Sequence, residues 1–257
     1  MAKVRIDRRK DYREQLRLFI TLSNAVRIKI RKLLKSKSIE AEKDFLSNQN
    51  IPDQFFLDFF EQLLDILSTS TRRIMKEVET RLSRTRLLKQ EEDIDTIINT
   101  YIAQFTAQNV RRISDTTRKN LKKEIELGVT AGLSISQIAK NIRKNKSFSP
   151  VRATLIARTE SHQAMNYGNL QIAKGLGLNK PIKEWASALD DRTRSWHRSM
   201  NGTREQVDKD FIINTPIAGG GFVEKPMSYA GDAKGGASNV INCRCFILYY
   251  DADDLVE

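Results

Sequence analysis

The only two thiols in the 257-residue chain, Cys243 and Cys245, stand one residue apart in the stretch NVINCRCFILYYD. Extended backbone puts positions two apart on one face, so both sulfurs are expected to point the same way, where they could grip one metal ion, stay as packed thiols or be oxidised. A disulfide between them would close only a very short, strained loop, and the chain therefore reads as intracellular. The two histidines, His162 and His197, complete a Cys2His2 set with the ligand types and number of a closed tetrahedral zinc site. Their separation of 35 residues is unlike the close pairing of a zinc finger. The same four side chains would also suit a metal-free core, because free cysteine is among the most buried residue types.

A second chemistry is written in DDRTRSWH. Asp191 could orient His197 as a general base for Cys243 or Cys245 as nucleophile. No pattern nearby marks an oxyanion hole, and Asp190 or Asp191 as a helix cap, with Arg192 or Arg194 pairing with Glu160, accounts for the same residues by hydrogen bonding and charge. The run Gly219–Gly221 lacks the Lys-Ser/Thr that follows in a phosphate-binding loop, and reads as a plain loop.

To bring the histidines and cysteines together, three elements must converge. The first is a helix from about 151 to 174, ended by Gly175 or Gly177. The second is a short helix over 192–201, ended by Gly202. The third is a last strand carrying both cysteines. Between the first two, Ile182, Glu184, Ala186 and Ala188 alternate as a strand would. Ahead of them the chain is helical. Leu16, Phe19, Ile20, Leu22, Val26, Ile30 and Leu33 recur at helical intervals, and similar patterns run over 53–82 and 91–133. Ser134 is the expected N-cap of a further short helix.

Charge and glycine divide at one place. Residues 1–150 carry 31 Lys and Arg against 19 Asp and Glu, a net +12, whereas residues 151–257 carry 13 of each; ten of the twelve glycines lie in the second part. The fold class is therefore α+β: a basic, mostly α-helical region over 1–147, then a small α+β domain over 148–257 with long Gly-rich loops, joined at KNKSFSPVR. Trp185 and Trp196 are expected as core anchors of that domain. The densest basic cluster, RIKIRKLLKSK, has no interleaved aromatics to stack bases, so any nucleic-acid contact would be non-specific. The amino-terminal stretch lacks the apolar core of a signal peptide, and no run long enough to span a membrane is present.

The ordered set IARTESHQAMNYGNLQIAKGLG, KEWASALDDRTRSWHRSMNG, PMSYAGD and NVINCRC resembles the phage head morphogenesis domain of the Mu F-like, SPP1-type minor head protein family over residues 150–246. One departure is SYAGD, where the family has proline before Gly-Asp. The resemblance implies a minor capsid protein of a tailed double-stranded DNA phage or prophage, acting by recognition and assembly without turnover. Expected partners are the portal protein, scaffolding or major capsid protein and packaged DNA, with no membrane; the expected location is the capsid interior near the portal, and the host cytoplasm during assembly. Arg158, Glu160, Trp185, Asp191, Arg192 and Asn242 are expected to define the domain architecturally, and His162, His197, Cys243 and Cys245 to serve its core or a zinc ion. A metal- or thiol-dependent hydrolase, or a toxin-like effector carried with the particle, is the alternative.

Overall fold

The computed structural model describes residues 8–85, 93–176 and 178–254. Among the described residues are six helices of eight residues or more: α1 (Arg8–Asn48), α2 (Asp53–Thr85), α3 (Ile94–Tyr101), α4 (Ala107–Thr130), α5 (Ile135–Lys144) and α6 (Pro150–Lys174). Strands β1 (Pro181–Ala186), β2 (Arg204–Gln206), β3 (Phe211–Pro216), β4 (Phe222–Met227) and β5 (Phe246–Asp251) follow, with the four-residue helices α7 (Ser195–Arg198) and α8 (Ala237–Val240) between them. No described helix is long and apolar enough to cross a membrane. The α+β class expected from the sequence is observed.

The chain forms two compact units, each assembled from separated segments: residues 1–22, 71–98 and 159–257 in one, residues 23–70 and 99–158 in the other. The second unit is helical. Its buried residues follow the apolar stripes, among them Ile30, Leu34, Phe55, Phe59, Leu63, Val110, Leu121 and Ile142. Ser134 caps α5 as expected: its hydroxyl accepts from Gln137 N while the Gln137 side chain accepts from Ser134 N. α4 ends where Gly132 turns to φ +64° and Leu133 N reaches back to Gly128 O, a left-handed stop that favours glycine. The continuous helix expected over 91–133 is interrupted: residues 102–106 wind as a π-helix, with Ala107 N bonded to Ile102 O. Such an inserted turn shifts the facing of everything after it, which apolar spacing alone does not reveal. The beginning of that expected helix lies outside the described residues.

The first unit carries the sheets. β1 is the centre of an antiparallel three-stranded sheet ordered β2-β1-β5, with Trp185 opposite Ile247 and Glu184 opposite both Leu248 and Arg204. β3 and β4 form a separate hairpin, in which Phe211 pairs with Met227. The Gly-rich stretch expected as loop therefore contains this hairpin, and Gly219–Gly221 are its tip, all at positive φ. Trp185, Phe211, Ile213, Met227, Cys243, Cys245 and Ile247 pack in one cluster with Leu170 of α6 and Leu176 just beyond its end. Burial on both faces makes β1 unlike a half-exposed strand: Lys183, Glu184, Trp185 and Ala186 are all buried. Glu184 is held by Arg8 and by Arg204, whose Nε lies 2.9 Å away, and Lys183 Nζ donates to Ser228 O at 2.7 Å over the Phe211 ring.

β5 is an edge strand, and side chains take the place of the missing neighbour. His162 Nε2 meets Cys245 O at 2.6 Å, Asn166 Oδ1 accepts from Ile247 N at 3.3 Å, and Gln15 Nε2 donates to Ile247 O at 3.2 Å. Asn169 and Arg81 extend the row. These bonds occupy the Ile247 N–H and C=O and the Cys245 carbonyl, and so cover the first part of an edge that could otherwise template pairing with another chain.

Candidate metal centre

Each group at the site is positioned by short-range bonds. After β1, the chain leaves the sheet at Ser187 and returns at Thr203, where Gly202 turns at φ +87° and bonds Trp185 O. Inside this excursion Asp190 is the anchor. Its carboxylate accepts from Arg192 N and the Thr193 hydroxyl, and Arg244 grips it with both guanidinium nitrogens at 2.6 Å. Burial raises the Asp190 pKa, but the bonds from Thr193 and Arg244 outweigh it and hold the carboxyl below its ordinary value. The expected helix over 192–201 contracts to Ser195–Arg198, because the preceding residues are used in the Asp190 turn. The last strand also starts later than expected: Cys243 and Cys245 lie in the segment just before Phe246. Asn242 enters that segment at φ +56°, a left-handed conformation that asparagine tolerates, with its N–H on the Thr159 hydroxyl.

His197, Cys243 and Cys245 meet. Their ligand atoms all lie within 4.8 Å of one another, and all three residues are buried. His197 Nδ1 is 3.6 Å from Cys243 Sγ and 3.6 Å from Cys245 Sγ. Ser187 Oγ stands 3.7 Å from Cys245 Sγ and donates to His197 O. Within the pair of free thiols, hydrogen bonding between them raises Cys243 and lowers Cys245 relative to an ordinary thiol.

His162 stands elsewhere. Cys245 O can only accept, so Nε2 of His162 carries the proton, while a Cβ on Gly231 would lie 2.8 Å from its Nδ1. Burial pushes the His162 pKa down to about 4. Its role in this geometry is to hold the β5 edge. Gly231, at φ +92°, belongs to a loop that Asp232 folds on itself by accepting from Ser228 N and Lys234 N. Trp185 is a core residue as expected, with its ring edge-on to His197. Asp191 is exposed, and Arg192 pairs with Asp190 at 3.6 Å. Arg194 bonds Ile241 O, while Arg158 and Glu160 are half-buried on α6.

The sequence reading missed Asn239, Ser187, Arg244 and Asn166. Asn239 is fully buried: its Nδ2 donates to Thr215 Oγ1 and Gly235 O, and its Oδ1 receives Trp196 Nε1 and faces His197 Nε2 at 3.0 Å. A signal existed for Asn166, which stands one helical turn from His162 within an apolar stripe. None existed for Asn239, whose partners come from three separate segments.

A buried thiol-imidazole group held by a polar shell, on a helix-backed three-stranded sheet, defines a small α+β module. Residues 119–248 match the family described as Phage Mu protein F like protein, and the chain belongs to that family. Over 134 residues it is 34% identical to Minor head protein GP7 of Bacillus phage SPP1, covering 51% of this chain and 40% of that protein. Over 142 residues it is 30% identical to NAD(+)--arginine ADP-ribosyltransferase EFV of Enterococcus faecalis, covering 54% of this chain and 27% of that protein. The match thus spans well under half of either relative. No solved structure matches the chain.

Proposed function

We propose that the chain is a minor component of the head of a tailed double-stranded DNA phage or prophage, located inside the capsid near the portal protein and assisting procapsid assembly or DNA packaging and delivery without turnover. The observation that carries this reading is the family match over residues 119–248, joined by the likeness to a protein named as a minor head protein. The site geometry is in keeping with it, since Asp190, Arg244, Asn239, His162 and Asn242 are all engaged in holding loops and strand edges. In this reading residues 148–257 form the head-morphogenesis part. The basic region 1–147 contacts portal, scaffolding or major capsid protein and makes non-specific contact with DNA.

Quantitative mass spectrometry of procapsids and DNA-filled heads from the same source tests this. A few copies per particle in both, co-purifying with portal, are expected; a chain absent from particles and free in the cell overturns the assignment. The likeness to an ADP-ribosyltransferase favours one second reading, transfer of ADP-ribose to arginine. Incubating the full chain with labelled NAD and an arginine-rich acceptor protein is expected to give no label transfer, and transfer that requires the chain would replace the assembly reading. An open groove of about 790 Å3 beside β2 is lined by Arg204, Glu205, Lys209 and Asp210, charges of both signs, and includes none of the His197–Cys243–Cys245 group.

A further inference from the structure

We propose that His197 Nδ1, Cys243 Sγ and Cys245 Sγ hold one zinc ion as a structural cross-link, and that His162 takes no part in its coordination. The inference is independent of the role in the phage head. Its first support is geometric. With Zn–N near 2.05 Å and Zn–S near 2.3 Å, a tetrahedral ion sets a nitrogen and a sulfur ligand about 3.6 Å apart, and His197 Nδ1 stands 3.6 Å from each of the two sulfurs.

Ordinary thiol hydrogen bonds reach the same distance, so the number of sulfurs decides. Nδ1 of a neutral imidazole has one lone pair in the ring plane, which serves one S–H donor well. Two sulfurs at equal distance from a single lone pair are what a shared cation between the three atoms would bring about.

The tautomer agrees. Gly235 O can only accept and the Trp196 indole N–H can only donate, and together they fix which end of the Asn239 amide is nitrogen. Asn239 Oδ1 therefore faces His197 Nε2, which must carry the proton, leaving Nδ1 bare toward the sulfurs. A metal-bound histidine whose other nitrogen donates to a fixed acceptor is the arrangement that orients a ligand for its ion. Two thiolates and an imidazole select zinc over magnesium or calcium, which take oxygen ligands. Among the described residues no fourth His, Cys, Asp or Glu joins the group, and Ser187 Oγ, 3.7 Å from Cys245 Sγ, is the nearby hydroxyl. The ion would tie the 187–203 excursion to the segment that leads into β5.

The test uses the full chain. Elemental analysis after purification without chelator is expected to give one zinc per chain, and replacement by cobalt(II) to give thiolate-to-cobalt charge transfer with tetrahedral ligand-field bands. Cys243→Ser, Cys245→Ser and His197→Gln should each lower bound zinc at least tenfold, whereas His162→Gln should keep it. Should the first three fail to fold, the wild-type cobalt spectrum still decides. A folded wild-type chain that holds no zinc and shows no cobalt–thiolate band overturns the proposal, as does zinc retained in folded His197→Gln protein.

Discussion

In the helical unit several buried hydroxyls spend their bonds close to home, although Ser114 reaches Phe56 O and Asn120 reaches the buried Ser147 hydroxyl from other helical segments. Ser38 donates to Lys35 O, Ser70 to Ile66 O and Thr117 to Ile113 O, each three or four residues back in its own helix. Lys37 is buried along its stem but delivers its ammonium to half-exposed Glu40. In the sheet-bearing unit the buried polar groups reach across the chain: His162 to Cys245 over 83 residues, Asn166 to Ile247 over 81, Gln163 to Gly231 over 68. Hydroxyls that bond their own helix say nothing about tertiary partners, whereas an asparagine that must meet one backbone N–H selects a single arrangement. The helical unit thus leans more heavily on apolar spacing that many sequences share, with fewer polar bonds between its segments. The sheet unit depends on individual bonds with few substitutes.

Mutations sharpen the contrast, beginning with the largest effect. Trp185→Ala removes a fully buried ring at the centre of the sheet cluster, and a loss of about 3–5 kcal/mol is expected in urea unfolding. Asn166→Leu leaves Ile247 N without its acceptor, at a cost of about 1–3 kcal/mol in the same assay. If that variant were as stable as wild type, the proposed dependence of the sheet unit on single polar bonds would fail.

A pH slope comes next. Burial pushes the Lys183 pKa from 10.5 down to about 8, so between those values the unfolded chain binds more protons than the folded one. Stability should therefore rise as pH goes from 8 toward 10.5, by at most about 1.4 kcal/mol per pH unit, with the full penalty present below 8. Unfolding midpoints of wild type and Lys183→Met measured at pH 7.5 and 9.5 should converge through this difference alone. Smallest is Arg143→Ala in the helical unit. Arg143 is exposed and pairs with Glu42 at 2.9 Å, and removing such a pair should change stability by less than about 1 kcal/mol. A loss of several kcal/mol there would erase the distinction between the units.

The same contrast explains what the sequence revealed. Helices announced themselves through Val26, Ile30 and Leu33, and Ser134 with Gln137 formed the capping box their spacing suggests. The β3–β4 hairpin escaped notice although Phe211, Ile213 and Thr215 alternate, because the exposed Phe222 and Val223 of its partner and Pro226 within β4 blur the pattern. The sequence offered the cysteines as a pair on one face with two histidines beside them, and the fold brings His197 to both sulfurs. His162 looked equally suitable by residue type, and only the Cys245 carbonyl in front of its Nε2 separates the two histidines. Polar partners supplied by distant segments leave no periodic trace, so Asn239 and Arg244 become visible only when the chain is folded.

The row of side chains along β5 also sets an order of events during translation. Gln15 and Ile247, which bond each other, are separated by 232 positions. At roughly 5–20 residues per second, the ribosome exposes the first some ten to fifty seconds before the second emerges. For that interval the segments of the helical unit, residues 23–70 and 99–158, can pair without waiting for the C-terminal strand. The sheet unit, by contrast, is a late-closing clasp, since Gln15 cannot find its partner until that strand has been made.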